Sequence, residues 1–132
     1  MAKIYIAGAS PEYARVRSIM ALLRGEGHEI TFDWTASVEK LVLSNMSEMS
    51  LFDDEAFAHV DEDLGGVRAC DTFVLVVPRS TVATWGAPIE LGYAYALHKR
   101  ILIVGKLQGI FRTLGKRVES EPALVRALGD AP

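Results

Sequence analysis

The sequence predicts an α/β fold: a doubly wound parallel sheet of five strands in the order 2-1-3-4-5, with helices on both faces. Three observations predict it. Strand and helix signals alternate along all 132 residues, the pattern of successive βαβ units. Residues 72–77 (TFVLVV) and 101–105 (ILIVG) are continuous apolar runs, which mark strands covered on both faces, as in parallel sheets. No internal repeat, linker or low-complexity segment interrupts the alternation. Residues 1–132 therefore read as a single domain that buries roughly two thirds of its unfolded surface.

The first strand covers residues 3–8 (KIYIAG), a β-branched and aromatic run closed by Gly8. Ser10-Pro11 then supplies a helix cap and a proline at the first helical position. Val16, Ile19, Met20 and Leu23 follow at helical spacing, and Gly25 or Gly27 stops the helix. Residues 29–33 (EITFD) alternate as a second strand, with Trp34 just past its end. Val38, Leu41 and Val42 point to a short helix, and SNMSEMS reads as loop. From Asp54 to Ala69, Phe57, Val60, Leu64 and Val67 recur at three and four residues, an amphipathic helix. It forms despite Gly65-Gly66, each costing about 1 kcal/mol relative to alanine. The third strand, 72–77, ends at Pro78. A polar loop (RSTVATWG) leads to a helix over 87–98 with Pro88 in its first turn. The strand 101–105, a weaker strand near 116–118 and a helix over 121–128 complete the flavodoxin-like order.

Half of the residues are hydrophobic and 23% are charged, with a net charge of −3. Both signs are scattered, and no basic block or aromatic–basic alternation points to a nucleic acid polymer. An anionic ligand then depends on local groups, such as helix N-termini and hydroxyls. Cys70 is the only cysteine, which excludes an intramolecular disulfide and a multi-thiolate metal site. His28, His59 and His98 lack the spacing of a helical metal pair, so no metal is expected. The opening apolar run is too short for a signal peptide or a membrane span and reads as the first strand of a cytoplasmic protein.

Ligands of such sheets bind beyond the carboxyl ends of the strands, at the switch point between strands 1 and 3. Three loops meet there: Gly8-Ala9-Ser10, Asp33-Trp34-Thr35, and Pro78 to Gly86. Glu90, in the first turn of the helix after the third strand, is carried to the same crevice. The helix dipole keeps a carboxylate there ionised, which suits a nucleophile. The competing role, a capping-box glutamate, requires Ser or Thr three residues earlier, where Ala87 stands.

Asp63 borders the apolar face of its helix, beside Val60 and Val67, where partial desolvation raises a carboxyl pKa and lets it carry a proton. The pattern alone favours a solvated member of the run Asp61-Glu62-Asp63. Tyr5 serves equally as core or as a hydroxyl aimed at Glu90. Trp34 and Trp85 fall in crevice loops, where either one stacks on a nucleobase or packs against helices. Ser80, Thr81 and Thr84 precede the Glu90 helix, whose N-terminus is an anion site. Ser10 reads as a cap before a ligand contact.

Ile89-Glu90-Leu91-Gly92-Tyr93-Ala94, followed by ILIVG, resembles the E-L-G-x-A signature of the nucleoside 2-deoxyribosyltransferase superfamily, which includes 2'-deoxynucleoside 5'-phosphate N-hydrolases. The resemblance covers most of residues 3–105. DLGGVRACD at 63–71 is similar to a second family segment, with an acid eight residues before the aspartate that opens the next strand. IYIAG carries Tyr5 where relatives hold a tyrosine. The resemblance implies that Glu90 attacks the anomeric carbon to form a glycosyl ester, that Asp63 donates a proton to or positions the leaving base, and that Tyr5 orients Glu90. It also implies a small-molecule nucleoside or nucleotide substrate and a homodimer or higher homo-oligomer; the crevice loops offer Gly8, Ala9, Ser10, Trp34, Thr84, Trp85 and Gly86 as substrate contacts, and nothing calls for a cofactor. Gly65-Gly66 would let helices approach closely in such an assembly.

Six residues before the nucleophile, transferases of the family carry an aspartate and phosphate-accepting hydrolases a serine. Thr84 stands there and leans toward a monophosphate. Ala9-Ser10-Pro11 departs from the hydrolases' arginine-bearing, glycine-rich loop. The rival function is a non-catalytic nucleotide-binding or sensor domain of the same fold. A phosphoacceptor receiver needs an acid pair after strand 1 and an aspartate after strand 3, where Ala9-Ser10 and Pro78-Arg79 stand.

Overall fold

The computed structural model describes residues 1–80 and 84–130. The strands are β1 (Lys3–Ala7), β2 (Glu29–Ile30), β3 (Thr72–Val76), β4 (Arg100–Val104) and β5 (Lys116–Val118). The helices are α1 (Tyr13–Gly25), α2 (Thr35–Leu43), α3 (Asp53–Ala69), α4 (Gly86–Ala96) and α5 (Glu121–Gly129). The strands form one sheet in the order β2-β1-β3-β4-β5, with every pair parallel. This is the predicted α/β architecture.

β3 is buried at all five positions, as its unbroken apolar run requires. In β1, Tyr5 is registered with Phe73 and their rings stack with centroids 5.9 Å apart. Because alternate strand residues face opposite sides, Tyr5 and Ala7 share one face and Ile4 and Ile6 the other. Val16, Ile19, Met20 and Leu23 of α1 are all buried. Gly8 follows β1 where α1 presses on the chain: a Cβ there would lie 2.7 Å from Val16 Cγ2.

The structure corrects several local expectations. β2 stops at Ile30 instead of running to residue 33. Thr31 still donates its N–H to the Ile4 carbonyl, but the Asp33 carboxylate then accepts from Thr35 N at 2.9 Å, turning the chain into α2. Ser10 is not a cap: Ala9 precedes a 3-10 turn over Ser10–Glu12, and the Ser10 hydroxyl donates to Glu48 instead.

Gly66 serves a helix–sheet contact rather than a helix–helix one. Its Cβ would meet Phe32 Cβ at 2.7 Å and Tyr5 Cδ2 at 2.8 Å, so α3 lies tightly against β1 through that glycine. Along α3, Val67 is buried and Leu64 half-buried, whereas Phe57 is 72% exposed and Val60 also faces solvent. The reason is length. A helix of 17 residues spans about 25 Å, whereas five-residue strands span about 17 Å. The N-terminal half of α3 therefore overhangs the carboxyl edge of the sheet, where it walls the crevice.

Candidate active site

The crevice beyond β1 and β3 holds a cavity of about 510 Å³, within the range of small-molecule sites. β1 brings Tyr5 and Gly8 to it, and the following turn brings Ser10. The start of α2 brings Trp34 and Ser37; the 3-10 turn Glu48–Ser50 brings Glu48. α3 brings His59 and Asp63, and the entry to α4 brings Thr84, Trp85, Gly86 and Glu90.

Tyr5 and Glu90 meet directly: the phenol donates to Glu90 Oε2 at 3.0 Å. Tyr5 is fully buried and Glu90 is 8% exposed. This pair is possible because Tyr5 sits on the β1 face that α4 crosses. Glu90 is the fifth residue of α4, not in its first turn, and the influence of the helix terminus has decayed there. The expectation of a carboxyl kept ionised by the helix is therefore corrected. Burial raises the Glu90 pKa to about 8, with Asp63 and Glu48 pushing the same way and the Tyr5 hydrogen bond opposing. Burial, reinforced by Glu48 and Glu62, raises Asp63 to about 7. The solvated reading of Asp63 is thus replaced by a half-buried carboxyl beside Glu90. Burial, then the Glu90 and Asp63 charges, pushes the Tyr5 phenol far up, so it is a fixed donor.

Two carboxyls that hold protons near neutral pH, facing one cavity, can supply a nucleophile and a proton carrier. Asp63, Tyr5 and Glu90, together with Gly8, Ser10, Trp34, Thr84, Trp85 and Gly86, all line the cavity. Ala9 does not: it is buried, and its carbonyl accepts the Glu12 N–H. Trp34 is 7% exposed and donates its indole N–H to the Ile6 carbonyl at 2.7 Å, so it presents a packed wall. Trp85 is 81% exposed at the rim, the freer of the two rings. Ser80 is tied to Glu12 through its N–H and its hydroxyl, each at 3.4 Å, and does not line the cavity. Thr81 lies outside the described residues.

Sequence reasoning missed Glu48, His59 and Ser37. Glu48 lies in a segment without periodicity. The usable signal was topological: a connection that leaves the carboxyl end of β2 and returns through α3 must cross the crevice, so its polar residues were candidates. Among the described residues no group of three or more His, Cys, Asp or Glu is placed to hold a metal ion, and no helix is long and apolar enough to cross a membrane.

Comparison with known proteins adds two findings. A family model described as nucleoside 2-deoxyribosyltransferase matches residues 4–125. Among solved structures, a CMP N-glycosidase of Clostridium botulinum is similar, with a TM-score of 0.58 and 16% identity over 96% of this chain and 98% of that one. At that identity the likeness shows a shared fold. No curated protein matches in sequence.

Proposed function

The chain belongs to the nucleoside 2-deoxyribosyltransferase family, and from that premise we propose that it cleaves the N-glycosidic bond of a nucleoside or nucleoside 5'-monophosphate through a covalent glycosyl-Glu90 intermediate. The single observation that carries the reading is the buried Tyr5–Glu90 hydrogen bond of 3.0 Å at the cavity wall that Asp63 shares. In the first step Glu90 Oε attacks C1', the C1'–N bond breaks, and the proton on Asp63 passes to the departing base nitrogen. In the second step water attacks C1', gives its proton to Asp63, and Glu90 leaves as a carboxylate. A second base in place of the water makes the reaction a transfer. Both steps follow the two-carboxyl logic of retaining glycosidases.

The free site keeps its last proton on Glu90, at about 8, rather than on Asp63, at about 7, so the scheme requires that proton to pass to Asp63 as substrate binds. With both carboxyls raised toward neutrality by burial, the pair retains about one proton near pH 7–8. The Tyr5 hydrogen bond favours the charge on Glu90, and positive charge developing at C1' favours it further. Trp85 offers an aromatic face at the rim for the base, and Thr84 a hydroxyl for the sugar or its phosphate.

A homo-oligomer belongs to the same reading. α3 and α4 are joined by a bond from Arg68 to the Tyr93 hydroxyl at 3.2 Å. Phe57 and Val60 on α3, Ile89 on α4 and Trp85 beside it are exposed, apolar area that a second copy would cover. A cytoplasmic location completes the reading, supported by the lone unpaired thiol of Cys70.

Incubation with a panel of nucleosides and their 5'-monophosphates, followed by chromatography of free base, tests the proposal. Base released by the wild type, and lowered about 10³-fold or more by Glu90→Ala, is the expected result. Ligand-induced thermal stabilisation with no free base would make the chain a binding or sensor domain instead.

A further inference from the structure

We propose that Glu48, fixed by Ser10 at the cavity wall, sets the charge selectivity of the site, favouring an uncharged nucleoside over the same nucleoside carrying a 5'-phosphate. The substrate class rests on the glycosidase reading above; the selectivity deepens it.

Glu48 sits in a turn that is itself well held. Ser50 N donates to the Ser47 carbonyl at 2.9 Å, and Ser47 N donates to Ser50 Oγ at 3.3 Å. From that turn Glu48 Oε1 accepts the Ser10 hydroxyl at 2.7 Å. The bond ties the α2–α3 connection to the turn after β1, so two separate walls of the cavity meet at this carboxylate. Glu48 is one of the charges that raise both Asp63 and Glu90, so it acts electrostatically on the reacting groups.

Three carboxyls, Glu48, Asp63 and Glu90, thus face one cavity, and among its described lining residues there is no lysine or arginine. The arginines of α1 nearest in sequence are engaged elsewhere. Arg15 bonds Glu12 and the Val77 carbonyl, and Arg17 bonds Glu39 and the Thr35 carbonyl. Lys106, Arg112 and Arg117 gather around a different depression of about 370 Å³ beyond β4 and β5. Among the described lining residues, a phosphate entering the first cavity would meet like charge without a counter-charge, the exposed Arg79 of the loop after β3 not lining it. The Thr84 hydroxyl serves a sugar hydroxyl or a phosphate oxygen equally well, so the net charge of the walls decides. Glu48 is itself exposed, so its charge is partly screened, and a phosphate within about 8 Å of it loses on the order of tenfold in affinity.

The test measures binding and turnover separately. Calorimetry on Glu90→Gln protein, in which turnover is blocked, compares 2'-deoxynucleosides and ribonucleosides with their 5'-monophosphates. The nucleosides should bind at least about tenfold more tightly. Glu48→Gln in the same background should narrow the ratio by roughly tenfold, and Ser10→Ala, which frees the Glu48 side chain, should narrow it partway. Circular dichroism confirms that each variant is folded. Monophosphates binding as tightly as nucleosides, or a ratio unmoved by Glu48→Gln in folded protein, overturns the selectivity. Wild-type base release preferentially from monophosphates also overturns it while sustaining the glycosidase. Selective nucleoside binding with no base released sustains the selectivity and overturns the glycosidase. Binding of neither class overturns both.

Discussion

A carboxyl group taken out of water holds its proton more tightly, because burial penalises the charged form. Glu90 and Asp63, raised to about 8 and about 7, both show it, and two predictions follow at the scale of the residue. Between the unfolded-state carboxyl pKa and the raised folded value, the native state binds more protons than the unfolded one, so stability falls as pH rises through that window. The native protein is therefore favoured by these groups below about pH 4 and loses that contribution by about pH 8 to 9. Glu90→Gln keeps an acceptor for Tyr5 but removes the buried charge. It should raise Tm by several degrees at pH 8.5 and by little or nothing at pH 5, read by calorimetry at both pH values. Tyr5→Phe removes the hydrogen bond that opposes the upward shift of Glu90. Base release should fall about 10- to 100-fold, with its pH profile displaced to higher pH, whereas a purely structural role for Tyr5 would lower the rate without displacing the profile.

At the scale of the element, α3 couples packing to the site. Gly66 rests on the Tyr5 ring, and Asp63 lies on the same helix three residues before it. Gly66→Ala forces a methyl into Tyr5 and Phe32 at sub-van der Waals distance and should cost about 1–3 kcal/mol, lowering Tm and base release together. Gly65→Ala meets only the Arg68 guanidinium at 3.5 Å and should stabilise by about 0.5–1 kcal/mol. Urea denaturation of both variants separates the two cases. This contrast also marks what the sequence could and could not reveal. Adjacent glycines in a helix read as two equal weaknesses, because local propensity carries no record of which one touches the sheet. The apolar runs of β3 and β4 were legible, since burial on both faces leaves no alternation to misread. The early end of β2 was not, because Asp33 turns the chain by a side-chain bond that competes with strand pairing. Glu90, Asp63 and Tyr5, which line one cavity, were singled out through topology and family motif together. Ala9 was misplaced because strand-end position alone does not say whether a side chain faces the crevice or the core, and Glu48 went unseen because an aperiodic loop gives no register.

At the scale of the whole molecule, the overhang of α3 leaves Phe57 and Val60 without a core to join, and the proposed oligomer would supply one. Light scattering coupled to size exclusion should report a dimer or larger species for the wild type. Phe57→Glu, which places a charge in that apolar area, should shift it toward monomer; a monomeric wild type would remove the oligomer from the account. The proposed reaction turns on one chemical event at the switch-point cavity, the transfer of a glycosyl group to Glu90 Oε. The measurement that tests it most directly is mass spectrometry of acid-quenched, proteolysed enzyme after mixing with a substrate that releases base. The account predicts that the peptide containing Glu90 gains the mass of the sugar moiety, and that Glu90→Gln abolishes both this adduct and base release. Base freed at an undiminished rate by Glu90→Gln, with no modified peptide, would contradict it.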